Sequence, residues 1–137
     1  MTQDMETDKR FIRDRRPGIL AVDDDERVSI LYRMILEEGY IVHTAMSGEE
    51  ALKIFDLAMH LGEPQIDLVT LDIRMPEMDG FEVLRRMKEK APCTPVIICT
   101  AYPTYKNSLN SWGCDDYIVK SYNLDELKAS VRRHLTE

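Results

Sequence analysis

The chain has 137 residues, of which 44% are hydrophobic and 31% are charged, with a formal net charge of −7. This size and balance fit one globular domain and exclude a disordered or fibrous chain. The negative charge argues against non-specific nucleic-acid binding, which needs clustered lysine and arginine, and no apolar run is long enough to span a membrane.

Residues 1–17 mix both charges and lack the apolar stretch of a secretory signal. They are interpreted as a charged tail ahead of a domain over residues 18–137. The three cysteines, Cys93, Cys99 and Cys114, form no CxxC pair, which argues against a disulfide framework or a zinc site. A cytoplasmic location is therefore expected.

After the tail, short apolar runs alternate with amphipathic helical patterns. In chain order, the predicted elements are a strand over 19–22, a helix over 26–38, a strand over 41–45, a helix from Ser47 to near Gly62, a strand over 66–71, a helix from Asp79, a strand over 95–99, a short helix near 104–112, a strand over 117–119 and a last helix after Asn123. Five consecutive βα units predict a parallel sheet with right-handed crossovers and helices on both faces.

Capping signals mark where several helices begin. Ser47 with Glu50, and Asp79 with Glu82, follow the capping-box pattern, in which two residues three apart cap each other. Asn123 is the predicted N-cap of the last helix.

Polar residues follow the ends of four predicted strands. They are Asp23, Asp24 and Asp25 after the first strand, Asp72 after the third, Thr100 after the fourth and Lys120 after the fifth. Parallel strands place their carboxyl ends at one edge of the sheet, where open α/β folds bind ligands, so these residues are expected to converge. Capping of the next helix is the simpler explanation for Asp25.

The chemistry of these side chains is complementary. Clustered carboxylates repel one another unless a cation lies between them, and a few oxygen ligands suit Mg²⁺. Beside such a cation, the Asp72 carboxylate could attack phosphorus and form an acyl phosphate. Lys120 would pair with the anionic group, and the Thr100 hydroxyl would donate to a phosphate oxygen.

Four segments, ILAVDDDE, LVTLDIRMPEMDG, PVIICTA and DDYIVK, resemble in order and context the signature regions of bacterial response-regulator receiver domains. The resemblance covers residues 18–135. It implies a flavodoxin-like (βα)5 fold with sheet order 2-1-3-4-5. It also implies a single-domain, chemotaxis-regulator-like receiver that acts in two-component signal transduction or a phosphorelay.

Matched by position, the resemblance implies that Asp72 is the phosphorylation site. Asp24 corresponds to the direct ligand of Mg²⁺ or Mn²⁺, Asp23 to the water-mediated ligand, and Arg74 to a ligand through its backbone carbonyl.

The remaining site residues match family positions that bind phosphate or change conformation on activation. Thr100 matches the hydroxyl that moves toward the phosphoryl group, Tyr117 the aromatic residue that turns inward on activation, and Lys120 the family's lysine.

Some positions depart from the family pattern. Ser121 follows the lysine where the family usually has proline, often with a cis bond, and the stretch from Thr100 to Lys120 is shorter than usual, which leaves the shape of the fourth helix open. Arg74 and Tyr102 occupy the positions that flank the attacking water. Both are bulky, so slow self-dephosphorylation is predicted.

The resemblance implies a sensor histidine kinase or a phosphotransfer protein as phosphoryl donor. An output protein is expected on the face of the fourth predicted helix, the fifth strand and the fifth helix, with homodimerisation on phosphorylation as a further option. No output domain follows the fifth helix, so output by protein contact is expected, without nucleic acid or membrane. The expected chemistry is limited to the chain's own phosphorylation and slow dephosphorylation, so it is not classed as an enzyme.

Two alternatives stay open. A phosphohydrolase of the haloacid-dehalogenase kind would use Asp23 and Asp25, with Thr100, Lys120 and a late acidic pair mimicked by residues 115–116. Against it, the acidic pair precedes the lysine, the first motif is followed by an arginine where a small residue is expected, and no cap domain is recognisable. The other alternative is a degenerate receiver used as a scaffold, which conflicts with the full set of site residues.

Overall fold

The structure, a computed structural model, describes residues 15–73, 75, 79–101, 113–120 and 124–135. In chain order its elements are β1 (Gly18–Val22), α1 (Glu26–Leu36), β2 (Ile41–Ala45), α2 (Gly48–Leu61), β3 (Leu68–Leu71), α3 (Gly80–Lys90), β4 (Val96–Thr100), β5 (Asp116–Val119) and α4 (Asp125–Leu135). The predicted helix near 104–112 and the predicted cap Asn123 lie outside the described residues. None of the described helices is long and apolar enough to cross a membrane.

The five strands form one sheet in the order β2-β1-β3-β4-β5, and every neighbouring pair is parallel. This confirms the predicted fold and strand order. The chain leaves β1 on one side to form β2 and on the other to form β3, so a crevice opens at the carboxyl ends of β1 and β3. Val22 pairs with Leu71 in this register. The residues that follow these two strands therefore enter the crevice at the same level.

Helices cover both faces of the sheet, as predicted. On one face Phe55 of α2 and Met87 of α3 pack in one buried cluster, and on the other face Tyr32 of α1 and Val131 of α4 pack in a second. β1, β3 and β4 are buried along their whole length. This explains why their sequences are apolar almost throughout rather than alternating.

The helix starts agree with the capping signals only in part. The Ser47 hydroxyl accepts from the amide of Glu50, as predicted, but the Glu50 carboxylate accepts from the amide of Met46. Asp79 accepts from the amide of Phe81. In each predicted capping box the first residue therefore caps its helix, but the carboxylate of the second residue does not accept from the amide of the first.

The second acid of the other predicted box has different partners. The Glu82 carboxylate accepts hydrogen bonds from the side chains of Arg85 and Arg86, at 2.5 and 3.0 Å. These guanidinium groups lie one turn further along the same helix face, where pairs three or four residues apart meet. The position of the Glu82 carboxylate is therefore set by Arg85 and Arg86, which are not part of the capping-box pattern.

The bounds of some strands differ from the prediction by one or two residues. β3 begins at Leu68 rather than residue 66, because Asp67 is engaged with the start of β1. Its carboxylate accepts from the Gly18 amide at 2.8 Å, and its own amide donates to the Gly18 carbonyl at 2.7 Å.

Candidate functional site

Asp23 and Asp72 are held at the crevice by their own backbone. The amide of Asp23 donates to the carbonyl of Ala45 at 3.1 Å, and the amide of Asp72 donates to the carbonyl of Val22 at 3.0 Å. Both bonds extend the sheet one residue beyond its strands. The two acids are 4% and 6% exposed, so neither is an ordinary solvated loop residue.

Asp24 joins these two acids to form a carboxylate cluster. One oxygen from each of Asp23, Asp24 and Asp72 lies within 4.8 Å of the others, and among the described residues this is the one such group of three potential metal ligands. Asp23 and Asp72 are buried while Asp24 is exposed, which gives the cluster an open side. Oxygen donors without nitrogen or sulfur suit a hard cation such as Mg²⁺ or Mn²⁺.

Lys120 supplies one positive charge to the cluster. Its ammonium group donates to Asp23 Oδ2 at 2.5 Å and to Asp72 Oδ2 at 3.3 Å. Within the described part of the chain, these three carboxylates and this ammonium group sum to a formal charge of −2. A divalent cation would offset such a charge.

The protonation of Lys120 follows from the same contacts. Its burial alone would lower the pKa, but the hydrogen bond that it donates to Asp23 and the charges of Asp23 and Asp72 outweigh this effect and raise the pKa above its ordinary value. The side chain is therefore an ammonium group at neutral pH. The ammonium group lies closer to Asp23 than to Asp72.

Thr100 and Tyr117 lie on the same face of the sheet. Tyr117 pairs with Ile98 across β4 and β5, and Thr100 comes two residues after Ile98. Because residues two apart in a strand point the same way, the hydroxyl-bearing and aromatic side chains are diagonal neighbours. Thr100 is 0% exposed and Tyr117 is 2% exposed, so both side chains are buried.

The backbone also connects β4 to the site lysine. The amide of Lys120 donates to the carbonyl of Thr100 at 2.7 Å. The residues that end β4 and follow β5 are therefore locked together next to the carboxylates.

The late acidic pair lies elsewhere. The Asp115 carboxylate accepts from the ammonium group of Lys88 at 2.6 Å, and the Asp116 carboxylate accepts from Ser130 and Arg133, each at 2.5 Å. Both acids stand at the amino end of β5, whereas Lys120 follows its carboxyl end. The phosphohydrolase alternative needs such a pair at the metal, so this geometry argues against it.

Asp25 has the capping role that its position suggested. Its carboxylate accepts from the amide of Arg27 at 2.9 Å and from the side chain of the same arginine. It caps α1 and takes no part in the carboxylate cluster.

Three of the singled-out positions, Arg74, Tyr102 and Ser121, lie outside the described residues. The carbonyl ligand, the dephosphorylation-rate positions and the peptide bond after Lys120 therefore remain predictions.

One residue near the site was not singled out by the sequence patterns. Gly80 is predicted only as part of a turn, yet its amide donates to the carbonyl of Ile73, directly after Asp72. A glycine as the first residue of a helix was the available signal.

Comparisons with known proteins identify a family that the chain resembles. The family model of the response regulator receiver domain matches residues 19–132. The response regulator TrrA of Thermotoga maritima, solved in complex with Mg²⁺-BeF, is 43% identical with a TM-score of 0.77, over 87% of this chain and 99% of that one. A structure of histidine kinase ThkA in complex with TrrA matches with 41% identity and a TM-score of 0.74, over 88% of this chain and 99% of that one.

Curated relatives are longer proteins. Regulatory protein AtoC of Escherichia coli is 38% identical over 120 residues, which are 85% of this chain and 25% of that protein. Transcriptional regulatory protein ResD of Bacillus subtilis is 42% identical over 122 residues, 84% of this chain and 48% of that protein. The chain thus spans a quarter to about half of the length of these relatives.

Proposed function

The chain belongs to the family of response regulator receiver domains, and from this premise we propose that it accepts a phosphoryl group on Asp72 and thereby switches a protein-interaction surface. The observation that carries this proposal is the convergence of Asp23, Asp24, Asp72 and Lys120 at one edge of the sheet. Four residues from three strand ends meet where each alone would be an ordinary loop residue.

The carboxylate cluster fits the divalent cation that this chemistry needs. Asp24 would bind it directly, Asp23 through water, and Asp72 and the backbone carbonyl of Arg74 would complete the protein ligands. When bound, Mg²⁺ or Mn²⁺ offsets the negative charge of the carboxylates and of an approaching phosphoryl donor.

The chain's own residues have distinct roles in the transfer. An oxygen of Asp72 attacks phosphorus, the bond from phosphorus to the donor breaks, and the donor leaves with that bond's electron pair, so an acyl phosphate forms. Lys120, now held between Asp23 and Asp72, would donate to an oxygen of the new phosphoryl group. The Thr100 hydroxyl would donate to another.

The same contacts support a switch. Thr100 and Tyr117 are neighbours on one face of the sheet, so a shift of the hydroxyl toward the phosphoryl group would change the space next to the buried aromatic ring. β5 and α4 would then present the changed surface to an output protein. Homodimerisation on phosphorylation is a further option for the same surface.

The donor is proposed from the chain's relatives. TrrA has been solved in complex with a histidine kinase and, separately, with Mg²⁺-BeF, and this chain is 41–43% identical to it. A sensor histidine kinase or a phosphotransfer protein is therefore the proposed donor, in the cytoplasm. Residues 18–137 would form the receiver.

A labelling experiment tests the proposal. The protein is incubated with acetyl phosphate in the presence and absence of Mg²⁺, and intact mass is measured for the wild type, Asp72→Ala and Asp56→Ala. We expect one hydroxylamine-labile phosphoryl group that requires Mg²⁺, is absent from Asp72→Ala and is retained in Asp56→Ala, where an exposed aspartate of α2 is removed. An unlabelled wild type would contradict the function, and a labelled Asp72→Ala would contradict the assigned residue.

The lifetime of the phosphoryl group is a separate prediction. If Arg74 and Tyr102 flank the attacking water, their bulk keeps water from phosphorus, and the half-life should be minutes or longer. The double substitution Arg74→Gly and Tyr102→Gly should shorten this half-life. The loss of label after removal of acetyl phosphate measures this, and a wild-type half-life of seconds would be incompatible with the assigned roles.

A further inference from the structure

The start of α3 lies against the peptide that follows Asp72. The amide of Gly80 donates to the carbonyl of Ile73 at 3.2 Å, and the Asp79 carboxylate fixes the first turn by accepting from the amide of Phe81 at 2.9 Å. The first helical residue of α3 is therefore in contact with the backbone that leads away from the phosphoacceptor.

This contact leaves no space for a side chain. A Cβ atom on Gly80 would lie 2.3 Å from Ile73 Cα and 2.6 Å from the Asp72 carbonyl oxygen. Atoms that are not bonded ordinarily stay about 3.5–4.0 Å apart, so a shift of about 1 Å would be needed. Both obstructing atoms belong to the backbone, so no rotation of a side chain can relieve the overlap.

The helix is not free to take up the whole shift. Val83, Leu84 and Met87 anchor α3 in the core and are at most 1% exposed. Part of the displacement must then fall on the peptide between Asp72 and Ile73. Because the amide of Asp72 is held by β1, movement of its carbonyl side turns the residue and moves its carboxylate.

We propose that Gly80 is a positioning residue for phosphoryl transfer: its missing side chain lets α3 seat against the Asp72 backbone and so sets where the Asp72 carboxylate stands relative to Asp23, Asp24 and Lys120. The inference rests on the proposed function and adds a residue to it. The carboxylate cluster has little tolerance, since its oxygens lie within 4.8 Å of one another and the contact from Lys120 to Asp72 is already 3.3 Å.

Two other glycines provide matched controls. A Cβ on Gly18 would lie 1.7 Å from the carbonyl oxygen of Gln65, also a backbone atom, but at the amino end of β1. A Cβ on Gly39 would meet nothing within 4 Å. Gly18→Ala therefore strains the fold at the opposite edge of the sheet from the site. Gly39→Ala measures the effect of adding a methyl group where it meets no other atom.

The test compares Gly80→Ala with both controls by thermal unfolding, by calorimetric titration with Mg²⁺ and by the rate of labelling with acetyl phosphate. Gly18→Ala and Gly80→Ala should both lower the unfolding temperature. Below it, Gly80→Ala alone should label roughly 10- to 100-fold more slowly, the loss expected for a misplacement of about 1 Å, and should bind Mg²⁺ more weakly. A wild-type rate in Gly80→Ala, or an equal loss in Gly18→Ala, would overturn the inference.

A second variant decides the matter if Gly80→Ala does not fold. Asp79→Ala removes the cap of α3 without adding an atom, so its first turn should loosen from the Asp72 backbone and labelling should slow a few-fold. Ser47→Ala removes the equivalent cap of α2, whose hydroxyl accepts from the Glu50 amide and does not hold α3 against the Asp72 backbone, and it should label like the wild type. Equal rates in the two cap variants would refute the positioning role. If the wild type itself is not labelled, the proposed function fails, and the Mg²⁺ affinities of the variants still decide this inference.

Discussion

Lys120 forms ion pairs with two of the three clustered carboxylates, and its side chain is 22% exposed. The ion pairs offset the cost of removing this charge from water. Removing one member of a buried pair is far more costly, because the remaining charges are left without compensation. The lysine is therefore a structural counter-ion of the site before any phosphoryl group arrives.

We predict that Lys120→Ala lowers the unfolding temperature in EDTA, at a cost of about 3 kcal/mol, and increases the stabilisation that Mg²⁺ provides. The reason is that the variant lacks the ammonium group that pairs with Asp23 and Asp72, so the cation supplies a larger share of the positive charge beside them. Thermal unfolding with EDTA and with Mg²⁺ measures both effects.

A suitable control is Lys90→Ala, which removes an exposed ion pair between Lys90 of α3 and Asp56 of α2. It should change neither the unfolding temperature in EDTA nor the stabilisation by Mg²⁺ by much. If Mg²⁺ stabilised Lys120→Ala no more than the wild type, the lysine and the cation would not be sharing the same carboxylates.

At the scale of single residues, the sequence predicted the meeting of Asp23, Asp72 and Lys120, because parallel strands bring their carboxyl ends together whatever their separation in sequence. It did not predict that Lys120 would lie closer to Asp23 than to Asp72. That preference depends on which rotamer the packed lysine adopts, and strand order carries no information about it.

At the scale of elements, β5 is held at both of its ends. Lys120 attaches its carboxyl end to the acidic cluster, and Asp116 attaches its amino end to α4 through Ser130 and Arg133. The Asp116 carboxylate also accepts from the amide of Tyr117, at 2.8 Å. The strand that carries the proposed aromatic switch is thus connected at one end to the proposed phosphoacceptor and at the other to the helix of the proposed output face.

The Asp116 network predicts a pH dependence of stability. Burial acts to raise the pKa of Asp116, but hydrogen bonds from Ser130 and the Tyr117 amide, together with the charges of Arg133 and His134, hold it below its ordinary value of 3.8. A lowered pKa in the folded state means that the stabilisation is complete above the ordinary value and is lost as the pH falls through the lowered one.

Asp116→Ala should therefore cost about 1.5–3 kcal/mol near pH 7, the range for hydrogen bonds to a charged group, and less at a pH below the lowered pKa. Urea unfolding at pH 7 and at a pH below the lowered pKa measures the free energy of unfolding of the wild type and the variant. If the two proteins differed in stability as much in acid as at neutral pH, the charge of Asp116 would contribute nothing.

The elements themselves were largely predictable. β2 has the predicted bounds, and Gly62 ends α2 in the left-handed conformation with φ of 72°, which glycine adopts without strain. The strand starts and the reciprocal capping contacts were less predictable. Asp67 and Glu82 have partners from β1 and from the next helical turn, and such partners compete with the local pattern.

At the scale of the whole molecule, the net charge of −7 and the acidic crevice make binding of a cation and folding interdependent. The carboxylates are gathered in the folded state and dispersed in the unfolded chain, so a divalent cation should bind the folded state preferentially.

Mg²⁺ at tenfold its dissociation constant should therefore stabilise the protein by about 1.4 kcal/mol and raise the unfolding temperature by roughly 5 °C. Sodium chloride at matched ionic strength, and Mg²⁺ added to Asp24→Asn, are the controls and should give clearly smaller increases. An equal increase with sodium chloride would mean that general screening of charge, rather than a site, accounts for the effect.

The sequence by itself determined the βα alternation, the helices on both faces and the residues at the strand ends, because these follow from apolar periodicity and from residues adjacent in the chain. Only the tertiary structure decided how the side chains share partners. It paired Lys120 with Asp23, Asp115 with Lys88 and Asp116 with Arg133, and it placed the start of α3 against the Asp72 backbone. These contacts join residues distant in sequence, and their geometry depends on packing in three dimensions, which no local pattern records.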